Sequence, residues 1–305
     1  MKILSRSDFN KARIYLKTQA RPLERRLFTF FFEDEPLENT IAELAQFQND
    51  DGGYGNALEP DFRMPESSPM ATNLALHIFR QIGAPSSQPA VANAVRYIVS
   101  CYNIRAANWS MVSSEVNNHP HAPWWHFDAS KGNVPAESTG NPTAELLSSL
   151  LSWPELLPAG FLDNLVDTCH QRIASLTNEV GMHELSCYIQ FVEALPEELR
   201  GTSEAIIKDL VSKTVARDPA TWALYTPKPL LYVTSPASFL YDGLHTLVET
   251  NLDYMIDTQD PIGGWAPNWD WGGNYPEVWD IARMEWHGII TLENLNKLMA
   301  FGRLE

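Results

Sequence analysis

The chain has 305 residues, 44% of them hydrophobic, and a formal net charge of −16. That size supports a large core, and the acidic balance argues against a nucleic-acid backbone or an anionic membrane surface as the main partner. Cys101, Cys169 and Cys187 form no C-x-x-C pair and read as free thiols in a reducing compartment. No run reaches the ~18 apolar residues of a membrane span, and Met1 to Arg6 starts no signal peptide. The expected location is cytoplasmic.

In chain order, Asp8 to about Phe32 reads as one or two helices, with Pro22 at a boundary or kink. Thr40-Ile41-Ala42-Glu43 fits a capping box, and Ile41, Leu44, Ala45 and Gln48 follow helical spacing. Gln48-Asn49-Asp50-Asp51-Gly52-Gly53-Tyr54 is a turn, and the Gln48 amide needs backbone partners at a neighbouring helix end. Met70 to Ile82 and Ala90 to Tyr102 are the next helices. Residues 117–141 form a long aromatic loop, a length that usually signals function. Pro142 opens another helix, followed by helices near 159–177, 182–194 and 198–216. Residues 221–235 are irregular. Helices at 236–258 and 278–301 flank a second turn, Gln259-Asp260-Pro261-Ile262-Gly263-Gly264-Trp265. No useful strand-period alternation occurs, so the expected class is all-α.

The two Gln-x-x-x-Gly-Gly-aromatic turns lie roughly four units of about 50 residues apart, near helical repeat lengths. In each, glycine permits a tight bend and the aromatic can stack on the preceding hairpin. These turns, with the helix start Asn141-Pro142-Thr143-Ala144-Glu145-Leu146, resemble the repeat of squalene and other terpenoid cyclases and of protein prenyltransferase β subunits. The resemblance implies an α/α toroid, one domain over residues 1–305 with about six helical hairpins around a central cavity. It also implies a structural role for Gln48, Gln259, Tyr54 and Trp265. The cyclase Asp-x-Asp-Asp position corresponds to Thr139-Gly140-Asn141-Pro142, which holds no acid. Asp167-Thr168-Cys169-His170 matches part of the prenyltransferase zinc set by letter. Cys169, however, belongs to the apolar stripe Leu162, Leu165, Val166, Ile173 and Leu176, which reads as core.

Candidate chemistry clusters in three places. His119, His121, His126 and Asp128 form the densest group of ligand-type side chains. With Trp124 and Trp125 beside them, catalysis by His126 and Asp128 and ligand contact by His121 are expected, with no metal assigned and no cofactor identified. His77, on an apolar helix face, is a candidate acid or base. Glu59, Asp61 and Asp270 follow the two turns at matched places. With Trp269 and Trp271 they would line the mouth of a ring. Asp242 and His245, three apart on one helix face, are a further acid–base candidate pair, while Glu285 and His287 flank Trp286 and point to different sides, so that one of them could face the cavity. Three functions compete: binding or transformation of an apolar, isoprenoid-like molecule in the central cavity, with aromatic walls; a carbohydrate-active α/α barrel with paired carboxylates; or a protein-binding scaffold without catalysis.

Overall fold

The computed structural model describes residues 1–130 and 140–305. Among the described residues there are twelve α-helices and, in place of strands, only isolated bridges. The helices are α1 (Arg6–Thr18), α2 (Pro22–Phe32), α3 (Leu37–Leu44), α4 (Pro69–Gln81), α5 (Pro89–Ser100), α6 (Glu145–Leu150), α7 (Asp163–Ser175), α8 (Met182–Ala194), α9 (Glu197–Thr214), α10 (Pro229–Tyr232), α11 (Tyr241–Asp257) and α12 (Pro276–Ala300). The all-α expectation holds. Among the described residues no helix is long and apolar enough to cross a membrane.

Local chemistry sets the boundaries. Proline, whose missing N–H costs nothing in a first turn, opens α2, α4, α5, α10 and α12. Ser5 and Ser68 cap α1 and α4 by accepting from the amides of Asp8 and Ala71. Pro22 marks a true boundary between two helices. The Thr40 capping box is not used. The chain turns helical directly behind Pro36, whose carbonyl accepts from Asn39 N at 3.1 Å. Thr40 therefore lies inside α3, and its buried hydroxyl has no hydrogen-bond partner among the described residues. The helix expected from 236 begins only at Tyr241. The one expected over 198–216 is interrupted at Gly201, which has φ 52°.

The chain divides into two compact units, Met1–Glu43 with Val211–Glu305, and Leu44–Leu210. In the first, α12 packs on α1 and α2, and α10 on α11, around Leu16, Leu23, Phe28, Val248, Leu252 and Leu295. Leu4 pairs with Leu304 as a parallel bridge. The buried Arg303 guanidinium donates to Lys2 O, to Glu249 and, at 3.0 Å, to Asp253 Oδ1. In the second unit α4 packs on both α5 and α6, and α6 packs on α8, around Leu76, Phe79, Val95, Leu146, Leu147 and Phe191. On α7, Cys169 is 1% exposed between Leu165 and Ile173. Burial pushes its thiol up to about 12. It is a core thiol, and its neighbour His170 places Nδ1 2.7 Å from Ser203 Oγ.

Candidate functional site

The two glycine turns are built alike. Gln48 Nε2 donates to Gly52 O within its own turn and to Ala90 O in the first turn of α5. Gln259 Nε2 donates to Gly263 O and to Asp8 O in the first turn of α1. Tyr54 N donates to Thr72 Oγ1 of α4, and Trp265 N to Thr291 Oγ1 of α12. The first glycine of each pair has positive φ, 88° at Gly52 and 104° at Gly263. A Cβ there would press on the backbone of Asn93 and of Lys11 respectively. Gln48, Gln259, Tyr54 and Trp265 hold the architecture, as the resemblance implies. The late turn is further tied by Asp260. Its Oδ1 accepts from the amides of Ile262, Gly263 and Gly264. Its Oδ2 lies 2.7 Å from His287 Nε2. Burial holds the His287 pKa down, against the pull of Asp260.

The histidine loop and the acids after the first turn meet within the second unit. Phe62 bridges His121, Ala122 N donates to Asp61 O at 2.7 Å, and Arg63 N donates to Pro120 O at 2.9 Å. Glu59 and Asp61 are buried, and Glu59 Oε2 accepts from Asp61 N at 2.5 Å. His121 places Nδ1 2.6 Å from His119 O and Nε2 3.2 Å from His126 Nδ1, with the two rings stacked. Trp125 packs edge-on against Phe62, while Trp124 is exposed. Asp128 accepts from the amide and hydroxyl of Ser130. The backbone bonds of Asp61, Arg63, Pro120 and Ala122 and the Phe62–Trp125 contact knit two loops together, and among the described residues no group of three or more His, Cys, Asp or Glu side chains is placed to hold a metal. The adjoining Lys131-Gly132-Asn133-Val134-Pro135 segment and Thr139 lie outside the described residues.

Asp270, Trp269 and Trp271 belong to the first unit. Asp270 is exposed and accepts from Gly272 N at 2.6 Å. Trp269 packs against Trp286 and Tyr225. Trp271 is fully buried against Trp279. Asp242 and His245 are both exposed and form no ion pair among the described residues. His245 stacks on Tyr241 instead. On α12 His287 is buried and packs on Tyr15, ring centroids 4.3 Å apart.

The layer formed by α4, α6 and α8 holds a different set, of which only His77 was nominated from sequence. His77 Nε2 stands 3.7 Å from Glu145 Oε1, too far for a hydrogen bond, and has no other partner among the described residues. Cys187 Sγ donates to Glu145 Oε2 at 3.6 Å. Arg80 reaches Ser148 O at 3.4 Å, and Ser149 Oγ donates to Asn73 Oδ1 at 2.7 Å. Burial decides the charges. It drives His77 down to about 3, with help from the Arg80 cation. It raises Glu145, against the Cys187 hydrogen bond, the Arg80 charge and a hydrogen bond from Gln190. It lifts the Cys187 thiol well above its usual value, with Glu145 adding to the rise. At neutral pH the layer therefore holds a neutral imidazole and an un-ionised thiol beside a carboxyl group whose charged form burial disfavours. Asn73, His77 and Arg80 recur at i, i+4 and i+7, so the signal was present as a polar stripe on an otherwise apolar helix. Glu145 carried no such signal, because its partners come from elsewhere in the chain. No family model matches the chain, and no curated protein matches it.

Proposed function

We propose that the chain is an α/α toroid of helical hairpins that binds an apolar small molecule of the isoprenoid kind and transforms it by proton transfer at Glu145 and His77. The observation that carries this reading is the pairing of these two side chains, 3.7 Å apart within a buried layer, with burial opposing the charged form of each. A carboxyl group whose acid form burial favours can serve as a proton donor, and a neutral imidazole beside it as a proton acceptor. The Cys187 thiol engages Oε2, which directs Oε1 toward His77. Glu145 supplies an acid where the Thr139–Pro142 position, matched to the cyclase motif, has none.

The ring itself is supported by the likeness of the two turns. The late turn grips α1 as the early turn grips α5, so the first helix of the chain takes the part that a following repeat would play. Glu59 and Asp270 each hold a backbone amide of their own loop, a use that does not favour the carbohydrate reading.

The test is native mass spectrometry of protein purified from its source, followed by extraction and identification of any retained compound. The compound is then incubated with wild type and with Glu145→Gln. Retention of an apolar molecule, converted by wild type and at least 100-fold more slowly by Glu145→Gln, is expected, a typical scale for one acid–base group. Equal conversion by both proteins would remove Glu145 from the chemistry.

A further inference from the structure

We infer that the buried face of α4 formed by Asn73, His77 and Arg80 binds the carboxylate head of an apolar monoacid. This deepens the proposed function and rests on its apolar-ligand reading. Asn73 is 1% exposed. Its Oδ1 is satisfied by Ser149, yet its Nδ2 has no hydrogen-bond partner among the described residues. Burying an unpaired amide N–H is costly, so the missing partner is an acceptor. One turn on, His77 Nε2 is buried and likewise without a hydrogen bond. One turn further, the Arg80 guanidinium makes a single long hydrogen bond, to a backbone carbonyl, and no ion pair among the described residues. A guanidinium has five N–H donors in a fork that matches a carboxylate.

Asn73 and Arg80 thus present unused donor capacity on one helix face, with the unpartnered His77 Nε2 between them. The remaining charges around them choose the ligand. Glu145 and Glu193 are the carboxyl groups that act on Arg80. Beside them a diphosphate would meet more repulsion than a monoanion. A monoanion whose oxygens accept two or three hydrogen bonds fits, and the apolar residues packed through the layer, Leu76, Leu146 and Leu147, suit a hydrocarbon body.

Titration calorimetry on the full chain tests this with three probes: geranic acid, its matched alcohol geraniol, and benzoate. Geranic acid is expected to bind at least 10-fold tighter than geraniol. Arg80→Gln should bring the two within about threefold of each other by weakening the acid alone. Asn73→Asp, which is nearly isosteric, places a repelling charge in the site and should abolish the preference even if Arg80→Gln does not fold. Equal affinity for acid and alcohol, or an acid preference unmoved by Asn73→Asp, overturns the inference and leaves the apolar-ligand reading standing. Binding of both acids but not geraniol supports the carboxylate site while counting against the apolar reading. Binding of none of the three overturns both.

Discussion

Gln259 donates its side-chain amide to the carbonyl of Asp8, 251 positions away, at 3.1 Å. Gln48 makes the same bond to Ala90, 42 positions away, also at 3.1 Å. Each amide also closes its own turn, so one side chain joins a bend to a distant helix start. Gln259→Ala and Gln48→Ala should each destabilise the protein by about 1–3 kcal/mol, the cost of leaving part-buried backbone acceptors unpaired. Urea denaturation with an unchanged m-value checks this. A loss below about 0.5 kcal/mol at both positions would show that the amides are incidental.

Glycine substitutions separate backbone strain from crowding. Gly263 has φ 104°, and a Cβ there would overlap the Lys11 backbone. Gly263→Ala should cost about 3 kcal/mol or more, since strain and overpacking each contribute roughly 1–3 kcal/mol. Gly273 has φ 82° and open space around it, so Gly273→Ala should cost only the conformational share, about 1 kcal/mol. Gly243 lies inside α11 with nothing near its missing Cβ. Gly243→Ala should stabilise by up to about 1 kcal/mol. Thermal unfolding of the three variants gives the ranking directly, and a Gly263→Ala protein as stable as Gly273→Ala would refute the crowding argument.

The pH dependence of stability follows from the two shifted groups of the α4–α6–α8 layer. His77 titrates near 6.5 when unfolded and near 3 when folded. Between those values the unfolded chain binds more protons, so this histidine lowers stability as pH falls from 6.5 toward 3, by roughly 1.4 kcal/mol per pH unit at most. Glu145 is raised in the folded state. Its contribution is largest at or below the unfolded carboxyl pKa and is lost as pH rises through the folded value. His77→Gln should therefore flatten the acid side of the stability curve, and Glu145→Gln the side above pH 4.5. Parallel curves for wild type and His77→Gln between pH 4 and 6.5 would contradict the assignment.

Thiol chemistry should be slow throughout. Cys169 and Cys187 are buried, and burial raises both thiols. Cys101 is half-buried and also raised. Because the thiolate is the reactive form, iodoacetamide at pH 8 should label Cys101 first and leave the other two unmodified in the native state. Peptide mapping by mass spectrometry reads the order, and early labelling of Cys187 would place it outside the buried layer.

What could be read in advance was local. The apolar stripes that end at Gln48 and Gln259, the prolines that open helices and the glycine pairs all act through near neighbours in sequence. For that reason eleven of the twelve helices among the described residues and two equivalent bends were within reach of the periodicity, whereas the single turn of α10 falls in the stretch read as irregular. Thr40 misled because a capping pattern competes with a proline four residues upstream, and the proline set the start. The candidate site was less legible. His77 stood out as an imidazole on an apolar face, but its partners are supplied by α6 and α8, and no spacing along the chain encodes which carboxyl group a helix will meet. The histidine loop drew notice by composition; its His121–His126 and Asp128–Ser130 contacts lie within that one loop, and the bonds that join it to the 59–63 segment are made by backbone groups.

The reach of Gln259 to Asp8 also sets an order of events on the ribosome. The early bend has all its parts once α5 has emerged, so it can close while synthesis continues. The late bend needs α1 together with a glutamine made 251 residues after its Asp8. Contacts of such separation form slowly, because loop closure comes before their reward. Until then α1 carries Ala12 and Leu16, both fully buried in the finished protein, with their permanent cover not yet made. Until the α12 segment has been made, α2 is the partner that α1 can already pack against, so this helix reaches its final surroundings late.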